Sequence, residues 1–85
     1  IVEARGDEEH VLVALADVPC TFGGAAAHMV ENALCAAAAC LALGVEREAV
    51  AAGLRGFGCD PAHNPGRNEV LSARGATVVI DYAHN

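Results

Sequence analysis

The stretch that decides the fold lies at the end of the chain, where residues 78–85 read Val78-Val79-Ile80-Asp81-Tyr82-Ala83-His84-Asn85. The three apolar residues predict a buried β-strand, and an acid, a phenol, an imidazole and an amide follow it. Open α/β proteins place ligand-binding groups just beyond the carboxyl ends of their strands. The pattern therefore predicts an α/β fold with a binding site at residues 81–85. Because the chain ends without a following helix, we expect it to be a piece of a larger protein.

The remaining pattern predicts an N-terminal β-hairpin or small sheet, two helices and a C-terminal strand pair. Apolar and β-branched residues favour strands at 1–4, 10–15, 68–73 and 76–82, with an extended piece at 17–22. Alanine-rich spacing favours a helix over 26–43, ended by Gly44, and a second helix over 46–56. The predicted inner faces consist of apolar residues at helical spacing: Val30, Leu34, Ala37 and Leu41 on the first helix, and Val50, Leu54 and Phe57 on the second.

Composition excludes several classes of function. The 85 residues carry a net charge of −6, and their five basic residues are scattered arginines, which argues against nucleic-acid binding. The chain contains no lysine, so it holds no P-loop lysine. The apolar run at 33–43 is too short to cross a bilayer, and no signal peptide is visible. We expect a soluble cytoplasmic protein without a membrane partner.

The four cysteines do not have the spacing of a metal site or a disulfide framework. No Cys-x-x-Cys pair occurs among Cys20, Cys35, Cys40 and Cys59. Cys35 and Cys40 would point about 140° apart on a helix. Buried free thiols are the favoured interpretation, and no metal site is predicted.

Polar residues on the first helix form one candidate cluster. His28, Glu31, Asn32 and Cys35 share one helical face beside the apolar stripe. Such groups near a helix start could meet a ligand. A polar face in contact with solvent is the alternative, and spacing alone favours it.

Two further candidates lie nearer the C-terminus. Arg67 follows a Pro-Gly turn, where its guanidinium could grip a phosphate, or could simply pair with Glu69 or Asp60. Asp81 could accept hydrogen bonds from ribose hydroxyls, and His84 could contact a nucleotide. Alternatively, Asp81 and Asn85 cap a following helix.

Taken in order, these clusters resemble the Mur ligase superfamily of ATP-dependent amide ligases, and within it the cyanophycin synthetase group. The resemblance covers most of the chain from Gly23 onward. It depends on the stretches GAAAHMVENAL at 24–34, ALGV at 42–45, PGRNE at 65–69 and VIDYAHN at 79–85.

The resemblance implies roles for individual residues. Asn32 corresponds to an asparagine that contacts adenine, Arg67 to an arginine that reaches towards the phosphates, and Asp81 to an aspartate that binds the ribose. His84 and Asn85 end the same motif, near the nucleotide and the interdomain hinge. His28 corresponds to the histidine of a His-Asn pair whose second member is replaced here by methionine.

The resemblance also implies ATP and Mg²⁺ as cofactors, with metal ligands outside this chain, and an amino-acid or peptide substrate. Residues 1–57 would end a central ATP-binding domain, 58–66 would be the linker, and 67–85 would begin the C-terminal domain. The remainder of the ligase would be the partner, an oligomer is compatible with the pattern, and the isolated chain is expected to be inactive. The alternatives are a muramyl-peptide or folylpolyglutamate ligase, a non-catalytic nucleotide-binding module, and a purely structural fragment.

Overall fold

The structure, a computed structural model, describes residues 1–60 and 62–82. The strands and helices follow in the order β1 (Val2–Arg5), β2 (Glu8–Val11), α1 (Ala27–Ala42), α2 (Arg47–Gly56), β3 (Glu69–Ala73) and β4 (Ala76–Ile80). The two strand pairs form separate antiparallel two-stranded sheets. The predicted α/β layout, with an N-terminal hairpin, two helices and a C-terminal strand pair, is confirmed.

The N-terminal hairpin is shorter than predicted. Arg5 lies opposite Glu8, so a two-residue turn joins β1 to β2. The predicted strand at 10–15 is wrong beyond Val11, where β2 ends. Leu12 and Val13 are 6% and 1% exposed, and successive residues of one strand cannot both face the same core. The chain therefore leaves the sheet at this point to bury both side chains.

The extended piece predicted at 17–22 is also wrong, because the chain forms two 3₁₀ turns, Leu15–Asp17 and Pro19–Gly24. Thr21 is fully buried. Its hydroxyl donates to the carbonyl oxygen of Val18 at 2.8 Å and accepts from the backbone N–H of Gly24 at 3.2 Å. Such local bonds from a side chain to the backbone compete with an extended conformation. They direct the chain into α1.

Helix α1 occupies Ala27–Ala42, as predicted to within a residue at each end, but it buries a different face. Its buried residues are Met29, Ala33 and Ala37, whereas Leu34 is 45% exposed and Val30 only half-buried. Of the predicted stripe, only Ala37 is fully buried. The small side chains of Ala33 and Ala37 allow close packing, and this tertiary contact rotates the helix away from the orientation that hydrophobicity alone favours.

The core lies where α1, α2 and the segment between β2 and α1 meet. Its buried cluster comprises Leu12, Val13, Val18, Cys20, Met29, Ala37 and Val50. Burial of a valine-sized side chain stabilises the fold by roughly 1.5–3 kcal/mol. These contacts fix the position of α1, and with it the polar residues of its first turns.

Helix α2 runs over Arg47–Gly56, as predicted. Of its predicted inner face, Val50 is buried and Leu54 half-buried. Phe57 lies beyond the helix and is 39% exposed, with its ring edge-on to His63 at a centroid distance of 5.9 Å. Neither α1 nor α2 has the length and apolar composition that a membrane crossing requires.

An ion pair ties the start of α2 to the first strand. The carboxylate of Glu3, with its side chain 8% exposed, accepts hydrogen bonds from Nε and Nη2 of Arg47 at 3.1 and 3.4 Å. Nε of Arg5 lies 2.6 Å from the same carboxylate. The hydrogen bond from Arg47 lowers the pKa of Glu3, with the positive charges of Arg47 and Arg5 acting in the same direction. The paired charge makes this burial tolerable.

The C-terminal hairpin has the predicted tight turn. Arg74 and Gly75 join β3 to β4 with φ of +51° and +78°, which is the signature of a type I′ turn. Strand β4 ends at Ile80, two residues earlier than predicted. The prediction that this strand is buried is wrong, since Val78, Val79 and Ile80 are 40–57% exposed. Its sheet has two strands, and these cannot enclose a core by themselves.

The cysteines are free thiols, as predicted, but they are not all buried. Cys20 is buried and Cys59 half-buried, and burial raises the pKa of both thiols. Cys35 is exposed on α1, so the prediction of a buried thiol is wrong at this position.

Candidate functional site

A polar cleft of about 560 Å³ lies between the first turns of α1 and the open end of the C-terminal hairpin, where the chain enters β3 and leaves β4. It is lined by His28, Met29, Glu31, Asn32, Arg67, Asn68 and Asp81. Four of the predicted site residues, His28, Asn32, Arg67 and Asp81, are thus brought together. The other two, His84 and Asn85, lie outside the described residues.

The first wall of the cleft is one face of α1. His28, Glu31 and Asn32 stand three and four residues apart, so the helix presents them side by side. Nδ2 of Asn32 contacts the sulfur of Met29 at 3.6 Å. Cys35, the fourth member of the predicted polar face, is not among the lining residues, so the structure brings this cluster to the cleft only in part.

The second wall forms because β3 and β4 are antiparallel, which places the residue before β3 beside the residue after β4. The backbone N–H of Asn68 donates to Oδ2 of Asp81 at 2.8 Å. The backbone N–H of Tyr82 donates to the carbonyl oxygen of Gly66 at 3.0 Å. Arg67 and Asp81, distant in sequence, consequently face one cleft.

Arg67 does not make the ion pairs considered as its alternative role. Oε2 of Glu69 instead accepts from the backbone N–H of Gly66 at 2.9 Å. Asp60 pairs with Nδ1 of His63 at 2.7 Å, and this hydrogen bond lowers the pKa of Asp60. The Arg67 guanidinium carbon lies 5.2 Å from the centroid of the Tyr82 ring, a cation–π contact that leaves its N–H groups as donors for an anion.

Sequence reasoning missed Asn68. It is 8% exposed and has a φ of +48°, and its Nδ2 lies 2.8 Å from Nε2 of His28. Asparagine is one of the few residues that tolerate this left-handed conformation. An asparagine directly after the Pro-Gly-Arg turn was therefore a usable signal for a special backbone position, although nothing local indicated its contact with α1.

A second, apolar cavity of about 400 Å³ adjoins the cleft between α1 and α2. Met29 and Asn32 line both spaces. Asn32 therefore stands at the border between a polar and an apolar surface. An amide there can pair with the edge of a flat heterocycle whose faces lie against apolar groups.

The cleft offers a carboxylate for hydroxyl groups and a guanidinium for an anionic group, at a size typical of small-molecule sites. Together these groups suit a small ligand that carries both hydroxyl and anionic groups. Across residues 1–60 and 62–82, no three His, Cys, Asp or Glu side chains come together as a metal site would require.

Comparison with known proteins gives consistent relatives. The chain is 36% identical over 81 residues to a cyanophycin synthetase of Trichormus variabilis, covering 95% of this chain and 9% of that protein. It is 38% identical over 69 residues to a cyanophycin synthetase of Crocosphaera subtropica, covering 81% of this chain and 8% of that protein.

A Gloeobacter violaceus UDP-N-acetylmuramoyl-L-alanyl-D-glutamate–2,6-diaminopimelate ligase is 49% identical over 55 residues, covering 62% of this chain and 10% of that protein. The chain thus spans 8–10% of the length of these relatives. No protein-family model matches the chain, and no solved structure matches it.

Proposed function

Because this chain belongs to the Mur ligase superfamily, with cyanophycin synthetases among its relatives, we propose that it is part of an ATP-dependent, ADP-forming amide ligase. In this proposal the polar cleft is one wall of the nucleotide site. One observation carries it: His28, Asn32, Arg67 and Asp81 line a single cleft although they come from opposite ends of the chain.

The chemistry of each side chain supports a separate role. The amide of Asn32, at the apolar border, would pair with the edge of the adenine ring. The carboxylate of Asp81 would accept hydrogen bonds from the ribose hydroxyls. The guanidinium of Arg67 would bind phosphate oxygens through two parallel N–H groups. His84 and Asn85 remain proposed contacts beyond the described residues.

The reaction would proceed in two steps. The terminal phosphoryl group of ATP passes to a carboxylate, forming an acyl phosphate and releasing ADP. An amine then attacks the acyl carbon, and phosphate leaves as the amide bond forms. Mg²⁺ would supply positive charge that stabilises the transferred phosphoryl group, with ligands outside this chain. In this proposal the residues of this chain bind and orient the nucleotide. Because the chain contains no lysine, and therefore no P-loop lysine, we propose that it is inactive alone.

We also propose that residues 1–57 end the ATP-binding domain, 58–66 form the hinge and 67–85 begin the C-terminal domain. Contacts on both sides of the hinge support this division. The thiol of Cys59 donates to the carbonyl oxygen of Cys20 at 3.4 Å, and the carbonyl oxygen of Cys59 accepts from the N–H of Val70 at 3.2 Å. Domain closure would exclude water from the acyl phosphate.

We also propose that this ATP-consuming reaction takes place in the cytoplasm.

The test compares ATP with 2′,3′-dideoxy-ATP in the complete polypeptide that carries this chain. If Asp81 binds the ribose, the wild type should prefer ATP by about 10- to 100-fold in affinity, because hydrogen bonds to charged groups contribute about 1.5–3 kcal/mol. Asp81→Asn should lose most of this preference. Asp7→Asn, in the exposed turn between β1 and β2, is the control and should keep it. Equal affinity of the wild type for both nucleotides would contradict the role of Asp81.

The 49% identity to the diaminopimelate ligase favours a second candidate, a ligase that extends a muramyl peptide. ADP release measured with aspartate or arginine, and separately with diaminopimelate and a UDP-muramyl dipeptide, separates the two. If ATP binds tightly but no ADP is formed with either set of substrates, a non-catalytic nucleotide-binding module would be favoured.

A further inference from the structure

Asn68 connects the two walls of the cleft through two different groups. Its side-chain Nδ2 lies 2.8 Å from Nε2 of His28, a residue 40 positions earlier in the sequence. Its backbone N–H donates to Oδ2 of Asp81, also at 2.8 Å. A single residue therefore contacts both a side chain of α1 and the carboxylate that follows β4.

Burial and backbone conformation make these contacts specific. Asn68 is 8% exposed, and an amide buried without a partner would cost about 1–3 kcal/mol. Its φ of +48° is a conformation in which most side chains are strained. Both features are tolerated because the backbone N–H and the side chain each have a partner on a different element.

The contact also constrains the orientation of the His28 imidazole. Nδ2 of Asn68 and Nε2 of His28 lie at hydrogen-bond distance, so the ring cannot rotate without losing this contact. The orientation of a histidine in a binding site is commonly set by the hydrogen bond that one ring nitrogen makes.

We propose that Asn68 is a positioning residue that orients His28 and Asp81, so that the cleft has its binding geometry before the nucleotide arrives. The inference rests on the proposed function, since it takes the ligand to be a nucleotide. A preformed site binds more tightly because less ordering remains to be done on binding. Asn68 acts through its two neighbours and need not touch the ligand.

A double-mutant cycle in the complete polypeptide tests this inference, with ATP as the probe. Asn68→Gly removes the amide and keeps the left-handed backbone, and we expect it to weaken ATP binding about 3- to 10-fold. His28→Ala should weaken binding as well. Because the two side chains act as a unit, the double variant should bind about as weakly as the weaker single variant. If the role of Asn68 were purely structural, Asn68→Gly would alter kcat and stability, but its effect on ATP binding would not be coupled to that of His28→Ala.

Arg74→Ala is the matched control, since Arg74 has a φ of +51° in the distal turn of the same hairpin. It should leave ATP affinity unchanged. If Asn68→Gly does not fold, Asn68→Asp replaces it, because aspartate keeps the shape and lacks the N–H donor.

The outcomes separate the two proposals. Wild-type affinity in Asn68→Gly, or effects that multiply in the double variant, would overturn the role of Asn68 and leave the nucleotide site intact. Absence of ATP binding in the wild type would overturn the proposed function itself, and this shows in the wild-type titration alone.

Discussion

Tyr82 occupies the space beside Gly66 in which a side chain at that position would lie. A β-carbon added to Gly66 would fall 2.6 Å from Cε2 and 2.8 Å from Cζ of the Tyr82 ring. The same ring supports the guanidinium of Arg67. Because residue 66 has no side chain, the Tyr82 ring can lie beside it. The ring in turn positions Arg67, which we propose binds the phosphates of the nucleotide.

We predict that Gly66→Ala weakens ATP binding and lowers thermal stability. The alanine would be strained by the φ of +71°, at a cost of about 1–2 kcal/mol, and would also displace the Tyr82 ring. Gly75→Ala is the matched control, because Gly75 has a φ of +78° with open space around its α-carbon. Thermal denaturation and ATP titration of both variants check this. Equal ATP affinities in the two variants would contradict a role for the contact between Gly66 and Tyr82.

We predict that Arg67→Ala in the complete polypeptide lowers kcat by about 100-fold or more, the usual loss when one preorganised donor to a developing charge is removed. Stability should fall by no more than about 1 kcal/mol, since the side chain is exposed and its cation–π contact is weak. Arg55→Ala, which removes an exposed arginine at the end of α2, is the control for loss of charge. Steady-state kinetics and denaturant titration measure the two effects, and unchanged turnover would exclude the role of Arg67.

The ion pair of Glu3 predicts a specific loss of stability in acid. Its pKa is lowered below the ordinary value of 4.5, chiefly by the hydrogen bond from Arg47. A group with a lowered pKa in the folded state stabilises the fold fully above its unfolded pKa, and this contribution disappears as the pH falls through the folded pKa. Stability should therefore decline below about pH 4.5, and less steeply in Glu3→Gln.

Glu9→Gln is the control for the pH series, since Glu9 is exposed on β2 and should leave the pH dependence as in the wild type. The measurement is the urea midpoint at a series of pH values from 3 to 7. An identical acid decline in wild type and Glu3→Gln would show that other carboxylates control it.

The thiols should react with an alkylating agent in the order of their exposure. Cys35 is exposed, whereas Cys20 is buried and Cys59 half-buried, and burial raises the pKa of the last two. Because the thiolate is the reactive form, iodoacetamide at pH 8 should label Cys35 first and Cys20 and Cys59 much more slowly. Mass spectrometry of digested samples follows the labelling at each site. The difference should disappear in urea, and rapid labelling of Cys20 in the native protein would contradict the described core.

The elements that could be read from the sequence are those in which local interactions decide the conformation. The alanine-rich segment that ends at Gly44 predicted α1, and the Arg74-Gly75 pair predicted the hairpin turn. Both predictions succeed because helix propensity and turn chemistry act over a few neighbouring residues. The segment at 17–22 was predicted incorrectly because Thr21 bonds to the backbone on both sides of it. That outcome depends on the burial of Thr21, which its local sequence does not reveal.

The sequence by itself determined the α/β layout and the family resemblance, and it predicted four candidate site residues that the structure places in one cleft. Tertiary structure alone decided which face of α1 is buried, since packing of Met29 and Ala33 outweighs the larger hydrophobic area of Leu34. It also decided that Asn68 contacts His28, 40 residues away. The physical reason is that propensity and spacing act along the chain, whereas the cleft depends on contacts between segments that only folding brings together.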